Sequence, residues 1–159
     1  IAASGATPYV LGALAYAKEV NALSASVVCN VPAPVLDAAD IGIGIVVGPE
    51  VITGSTRLKS GTAQKMVLNM LSTATFVKLG KVYGNLMVDV QITNSKLARR
   101  ARNIVMQVGG VGADEAERLI ATASSEVKTA IVMARRGVSA DEARALLAAA
   151  RGHLRRVID

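Results

Sequence analysis

Hydrophobic positions in the first half of the chain alternate between short β-type runs and helical stripes. Apolar, largely β-branched runs occupy residues 26–29 and 41–47, and residues 1–3 read as the end of a further strand. Between residues 3 and 26, apolar residues recur at three- and four-residue steps, as on one face of a helix. Thr7 and Pro8 precede that stripe as a hydroxyl N-cap followed by proline at the first helical position. Strands separated by helical segments predict βαβ units, and therefore an α/β fold with a parallel sheet flanked by helices.

A second and longer helical pattern covers residues 58–79. Its apolar residues are Ala63, Met66, Val67, Met70, Leu71, Ala74 and Val77. Because they lie on more than one face, the pattern predicts a central, buried helix that ends at Gly80. Residues 81–94 show no clear period and are interpreted as an irregular connector.

The last third of the chain is helical throughout and contains an internal similarity. One helix is predicted over residues 97–108, and another over residues 127–134. Residues 110–123 and 137–150 are identical at nine of fourteen positions. Ser139 and Glu142 have the spacing of a capping box, and Gly112 with Glu115 is a weaker version of it. These segments predict an all-helical remainder that ends in a small helical bundle.

Composition narrows the class of protein. The chain has 159 residues, of which 52% are hydrophobic and 3% aromatic, and it has one cysteine. So apolar a chain can bury enough surface to fold, and a single cysteine cannot form a disulfide within the chain. No apolar run approaches about 18 residues, so no membrane span is expected. The chain starts at Ile1 without a signal-peptide pattern, and we interpret it as a fragment of a longer protein.

The net charge of +6 is compatible with a polyanionic partner. However, the basic residues stand at helical spacings interrupted by apolar positions, which favours solvated helix faces. Few aromatics are available for base stacking, and no DNA-binding motif is present. The sequence therefore predicts neither a nucleic-acid partner nor a membrane partner.

Two polar loops follow predicted strands and precede predicted helices. Residues 4–8 read Ser-Gly-Ala-Thr-Pro, which suits a phosphate at a helix N-terminus and equally suits an ordinary strand–helix turn. Residues 48–62 combine a carboxylate, hydroxyls, glycines and the cations Arg57 and Lys59. Cations oppose the dipole at a helix N-terminus, and an anionic ligand would account for them. Because ligands of parallel sheets sit beyond the carboxyl ends of the strands, both loops could face one crevice.

Three segments carry a resemblance to a known family: residues 4–10, residues 48–65 and residues 79–89, the last reading Leu-Gly-Lys-Val-Tyr-Gly-Asn-Leu-Met-Val-Asp. They resemble the N-acetylmuramic acid 6-phosphate etherases, bacterial enzymes built on the sugar isomerase (SIS) domain. The resemblance covers essentially the whole chain and assigns it to the C-terminal portion of the family. It implies that residues 1–94 complete an SIS phosphosugar-binding domain and that residues 95–159 form a helical subdomain, with a ubiquitin-associated-like bundle from about residue 110.

The resemblance also implies a reaction and a site. The family cleaves the lactyl ether of N-acetylmuramic acid 6-phosphate to N-acetylglucosamine 6-phosphate and D-lactate in cell-wall recycling, as a cytoplasmic homodimer without metal or redox cofactor. By the same resemblance, the loop of residues 4–8 holds the sugar phosphate, and the loop of residues 48–62 lines and supports the pocket. The implied substrate-binding residues are Ser4, Gly5, Thr7, Glu50, Ser55, Thr56, Arg57 and Lys59.

The sequence departs from the family in ways that leave an alternative open. The glutamates assigned to acid–base work lie upstream of this chain in the family, so the resemblance implies no catalytic residue here and an inactive fragment. Ala6 stands where the family frequently has Arg. The alternative is a non-catalytic SIS module that senses a sugar phosphate and regulates a partner protein. Cys29 is interpreted as a buried thiol and His153 as a helix-end residue, with no metal site at either.

Overall fold

A computed structural model describes residues 1–159 and divides them between two units, residues 1–72 and residues 73–159. The first unit contains α1 (Pro8–Glu19), β1 (Ala25–Val28), α2 (Pro34–Ala38) and β2 (Ile41–Gly44), and α3 (Lys59–Lys78) begins in it. The second contains β3 (Val82–Tyr83), β4 (Leu86–Met87) and the helices α4 (Ser95–Gly109), α5 (Ala113–Thr122), α6 (Val127–Arg136), α7 (Ala140–Ala149) and α8 (Arg155–Ile158).

The sheet of the first unit is parallel, which confirms the α/β prediction. β1 and β2 pair in register from Ala25 opposite Ile41 to Val28 opposite Gly44. Ala2 makes a parallel bridge to Val28, so the chain before α1 adds to the same sheet. Twelve residues connect β1 to β2, which is the length that a crossover between parallel strands needs. The second strand is shorter than its apolar run predicted, because it ends at Gly44 rather than Val47.

Two sets of contacts hold the first unit together, one between its strands and one between the sheet and its helices. The Asp40 carboxylate accepts hydrogen bonds of 2.8 Å from both the backbone N–H and the hydroxyl of Ser24, which joins the starts of the two strands. Leu14 of α1 is buried against Val28, Ala33 and Val35. The small core of the first unit therefore lies between α1, α2 and β1.

Helix α3 begins and ends within one residue of the predicted bounds, but the prediction that it is buried is wrong. Only Ser60 and Val67 are buried along its twenty residues, while Met66 and Met70 are 54% and 60% exposed. The physical reason is that no helix or strand packs extensively along α3, so most of its length faces solvent.

The second unit packs its helices around α6. Ala130, Ile131 and Val132 are fully buried, and side chains from α4, α5, α7 and α8 join them in one apolar cluster. The expectation of an irregular connector over residues 81–94 is wrong for residues 82–87, where β3 and β4 form an antiparallel hairpin around Gly84 and Asn85, and is confirmed for residues 88–94. The sequence feature that indicates this hairpin is the Gly-Asn pair between two short apolar runs, because Gly-Asn is a common two-residue hairpin turn.

The internal similarity corresponds to α5 and α7, which differ at their caps. The Ser139 hydroxyl accepts from the Glu142 N–H, and the Glu142 carboxylate accepts from the Ser139 N–H at 2.9 Å, so the predicted capping box is confirmed. At the same place in α5, Gly112 has no side chain to offer, and Glu115 instead bonds Arg118. The two segments thus share a backbone path but not a cap.

This difference gives a paired stability prediction. Replacing Ser139 with Ala should lower the free energy of unfolding by about 0.5–2 kcal/mol, because an N-cap acceptor is lost. Gly112→Ser should raise it by a few tenths of a kcal/mol, because the backbone there is already extended and no atom lies within 4 Å of the added Cβ. Urea unfolding of both variants measures the two shifts, and equal shifts of the same sign would contradict the assignment of the caps.

Candidate functional site

The first candidate loop leaves two hydroxyls free at the start of α1. Thr7 occupies the N-cap position with extended backbone, but its side chain makes no capping hydrogen bond. Ser4 and Thr7 are both exposed. The N-cap position was thus predicted correctly, whereas the hydroxyl bond expected with it is not made. Both hydroxyls therefore remain available to an anionic ligand.

Gly5 holds this loop against the core of the first unit. It is buried, with φ +71°, and its carbonyl accepts a 3.1 Å hydrogen bond from the Val35 N–H. A Cβ at this position would lie 2.6 Å from the Cβ of Ala33 and 3.1 Å from Val28. Glycine is therefore required both by the left-handed backbone and by the close approach of α2.

In the second loop, Glu50 caps α3 from nine residues upstream. Its two carboxylate oxygens accept from the backbone N–H groups of Lys59, at 2.9 Å, and Ser60, at 3.0 Å. The hydrogen bond from the Lys59 N–H, followed by that from Ser60, holds the pKa of Glu50 below its usual range. Glu50 is therefore a helix-capping carboxylate that stays ionised at neutral pH, which makes it a weak candidate for a general base.

This cap accounts for one of the two cations of the loop, Lys59, without an anionic ligand. The Glu50 carboxylate places a negative charge at the N-terminus of α3, and the Lys59 ammonium donates to the Pro49 carbonyl at 2.8 Å. Lys59 is thus held within the loop by the chain's own groups. No such partner holds the Arg57 guanidinium, which is exposed and forms none of the chain's ion pairs.

The backbone beneath Ser55, Thr56 and Arg57 is well defined. The Ser55 N–H donates to Ile52, the Leu58 N–H to Ser55, and the Gly61 N–H to Thr56 at 2.9 Å. The three residues therefore sit on a turn that is fixed by hydrogen bonds before α3. Thr56 and Arg57 present exposed side chains from that turn, and Ser55 is half-buried.

Cys29 directly follows β1 and hydrogen-bonds to two segments that are distant from it in sequence. Its N–H donates to the Ala3 carbonyl at 3.0 Å, and its thiol donates to the Ser60 carbonyl at 3.6 Å. The sequence predicts a buried thiol at Cys29, whereas the structure leaves it half-buried and bonded to the backbone at Ala3 and Ser60. Its neighbour Asn30 donates to the Ser4 carbonyl at 3.5 Å. Both loops therefore adjoin one edge of the parallel sheet.

The grooves at this edge do not unite all of the predicted residues. A groove of about 590 Å³ beside the start of α3 is lined by Val47, Leu58, Lys59, Thr62, Ala63 and Met66. It includes Lys59 but neither Ser4 nor Arg57. A shared pocket for the substrate-binding residues accordingly stays a prediction.

The third segment of the resemblance, residues 79–89, uses its polar groups internally. Lys81 and Lys128 pair with the Asp89 carboxylate at 3.0 and 3.3 Å, and the Tyr83 hydroxyl donates to Asp159 at 2.7 Å. Burial raises the pKa of Asp89, but the Lys81 hydrogen bond and the Lys128 charge outweigh it and hold that pKa below its usual value. This segment therefore anchors the hairpin to the helices of the second unit.

The lowered pKa of Asp89 predicts a loss of stability in acid. Its ionised form contributes stability above the unfolded pKa of about 3.9, and that contribution is lost as the pH falls through the lower folded pKa. Asp89→Asn should therefore destabilise the chain at neutral pH, and the gap to wild type should close below about pH 4. Unfolding measured from pH 2 to 7 tests this, with Asp114→Asn, outside the chain's ion pairs, as the control. A gap that is constant with pH would contradict it.

The remaining His, Cys, Asp and Glu side chains form no metal site. His153 is half-buried in the turn between α7 and α8. No group of three His, Cys, Asp or Glu side chains is placed to hold a metal ion. No helix is both long and apolar enough to cross a membrane.

Comparison with known proteins agrees with the resemblance seen in the sequence, although no family model matches the chain. Over 159 residues, all of this chain and 52% of the relative, it is 54% identical to "N-acetylmuramic acid 6-phosphate etherase" of Brucella anthropi. The corresponding protein of Vibrio campbellii is 51% identical over the same shares. That of Geobacillus thermodenitrificans is 59% identical over 132 residues, 83% of this chain and 45% of the relative. The chain thus spans about half the length of the curated relatives it matches, and by sequence it belongs to the N-acetylmuramic acid 6-phosphate etherase family.

Proposed function

We propose that this chain is the C-terminal, sugar-phosphate-binding portion of an N-acetylmuramic acid 6-phosphate etherase. The observation that carries the proposal is identity of 54% across the entire chain to a protein of that name. The geometry supports it, because Ser4, Thr7 and Arg57 offer uncommitted hydroxyls and a guanidinium near one edge of a parallel sheet. Hydroxyl, backbone N–H and guanidinium donors are the groups that hold phosphate in proteins.

In the proposed site, each residue has a distinct part. Gly5 brings the first loop close to the core, and Ser4 and Thr7 donate to the phosphate. Arg57 meets two phosphate or sugar oxygens with its planar fork, beside Ser55 and Thr56. Glu50 and Lys59 act indirectly, because their hydrogen bonds within the second loop set the start of α3.

In the proposed reaction, a carboxylate base removes the proton at C2 of the sugar and D-lactate leaves from C3. Water then adds at C3 to give N-acetylglucosamine 6-phosphate. The carboxylate of the second loop, Glu50, is already engaged by two backbone N–H groups. We therefore assign the acid–base work to glutamates outside residues 1–159. No metal or redox cofactor enters the scheme.

The proposal extends to organisation. Residues 1–94 would complete the SIS phosphosugar-binding domain, with residues 95–159 as a helical subdomain. The intact protein would act in the cytoplasm as a homodimer. The exposed Met66 and Met70 of α3 support a dimer or an interdomain contact, because such a contact would remove their apolar surface from water, at about 25 cal/mol per Å².

Lactate release tests the proposal. The 159-residue chain should release no lactate from N-acetylmuramic acid 6-phosphate, since each acid–base group contributes roughly 10²–10⁴-fold. A chain of the full length of its relatives should release it. Release by the short chain would overturn the assignment of the acid–base groups, with Glu50→Gln as the first variant to examine. Tight binding without release in the full-length chain would favour the sensing module instead.

A further inference from the structure

A groove of about 550 Å³ in the second unit is independent of the candidate sugar-phosphate loops. It lies between the first half of α4, the middle of α5 and the segment before α4, and every residue that lines it falls between 92 and 125. Ile92, Ala98, Ile120 and Ala121 give it an apolar lining. Pockets of this volume with mostly apolar walls are typical of small-molecule sites rather than of extended protein contacts.

The rim of this groove is strongly basic. Lys96, Arg99 and Arg102 line it from α4 at three-residue intervals, which places them on one side of the helix. Glu117 is the one carboxylate among the lining residues, and it bonds the Arg102 Nη1 at 2.8 Å. The groove thus holds three cations against one anion.

Two of these cations have no anion of their own. Lys96 and Arg99 are exposed and belong to none of the chain's ion pairs. They stand in the first half of α4, whose first turn contains no acidic residue, so they oppose the helix dipole. In addition, the Arg102 Nε is buried without a hydrogen-bond partner. An anion bound against Lys96 and Arg99 would offset both their unpaired charge and their opposition to the helix dipole.

We propose that this groove binds a small amphipathic organic anion. The anionic head would lie against Lys96 and Arg99, and an apolar body would cover Ile92 and Ile120. The lining residues can bind both parts of such a molecule. Cations alone would suit a simple ion, and the apolar wall alone would suit a neutral molecule. The site rests on the second unit and does not depend on the proposed etherase function.

Octanoate is the probe that carries both features, with acetate and octan-1-ol as probes that carry one each. Amide NMR shifts of the 159-residue chain should saturate with octanoate at residues near Ile92, Arg99 and Ile120. Acetate should bind at least about tenfold more weakly, because most of the buried methylene groups are gone. Octan-1-ol should bind about two- to fivefold more weakly, in line with the loss of an exposed charge pair.

A pair of neighbouring variants supplies the matched control. Arg99→Gln should weaken octanoate about two- to fivefold and leave octan-1-ol unchanged. Arg100→Gln removes the same charge from the next residue of α4, outside this groove, and should leave both unchanged. Equal affinity for octanoate and octan-1-ol, equal effects of the two variants, or shifts that do not saturate would each overturn the proposal.

Discussion

Gly5→Ala is expected to destabilise the first unit by about 2–5 kcal/mol. The left-handed backbone costs a residue with a Cβ roughly 1–2 kcal/mol, and overpacking adds about 1–3 kcal/mol. The overpacking follows from the 2.6 Å approach of the new Cβ to Ala33, whose own backbone is tied to the start of α2. Because α2 and the first loop share this contact, the loop that carries Ser4 and Thr7 should lose its shape as well.

Gly48→Ala is the matched control for Gly5→Ala. Gly48 has φ +70°, nearly the value of Gly5, but no atom lies within 4 Å of the position its Cβ would take. It should therefore show the backbone cost of about 1–2 kcal/mol alone. Urea unfolding of both variants separates the two contributions. Equal losses would mean that the contact with Ala33 does not set the loop.

Arg57→Ala should weaken N-acetylglucosamine 6-phosphate binding by about 1.5–3 kcal/mol, or roughly tenfold to a hundredfold. Arg57 is the cation of the second loop that the chain leaves uncommitted, whereas Lys59 is held by the Pro49 carbonyl. Arg57→Lys should recover only part of the affinity, since a point charge lacks the fork that meets two oxygens. Calorimetric titration measures both changes.

Lys65→Ala provides the control for Arg57→Ala. Lys65 is an exposed cation on α3, eight residues after Arg57, so its loss changes the net charge equally without touching the proposed site. The affinity of the Lys65→Ala variant for the sugar phosphate should match that of the wild type. If Arg57→Ala and Lys65→Ala weakened binding equally, Arg57 would act only through net charge, and its place in the site would be wrong.

Local signals in the sequence predicted the elements that local physics determines. Thr7 and Pro8 located the start of α1, and the Ser139–Glu142 spacing located both the start of α7 and its capping box. The βαβ pattern predicted the parallel pairing of β1 with β2. These features depend on residues close in sequence, or on a connection of known length.

Features that depend on distant residues were not predictable in the same way. Glu50 caps α3 from nine residues away, whereas an N-cap pattern examines only the residues adjoining the helix. The contacts of Cys29 with Ala3 and Ser60 join residues separated by 26 and 31 positions. The burial of α3 was predicted wrongly because an apolar face shows only that a helix would be stabilised by burial. It does not show whether another element packs against that face.

Calorimetric titration of the wild-type chain with N-acetylglucosamine 6-phosphate and with unphosphorylated N-acetylglucosamine tests the central claim most directly. The account predicts saturable binding of the phosphorylated sugar, with amide NMR shifts at Ser4, Thr7 and Arg57, and much weaker binding of the unphosphorylated sugar. Binding of both sugars with equal affinity, or binding of the phosphorylated sugar that leaves these three residues unshifted, would contradict it.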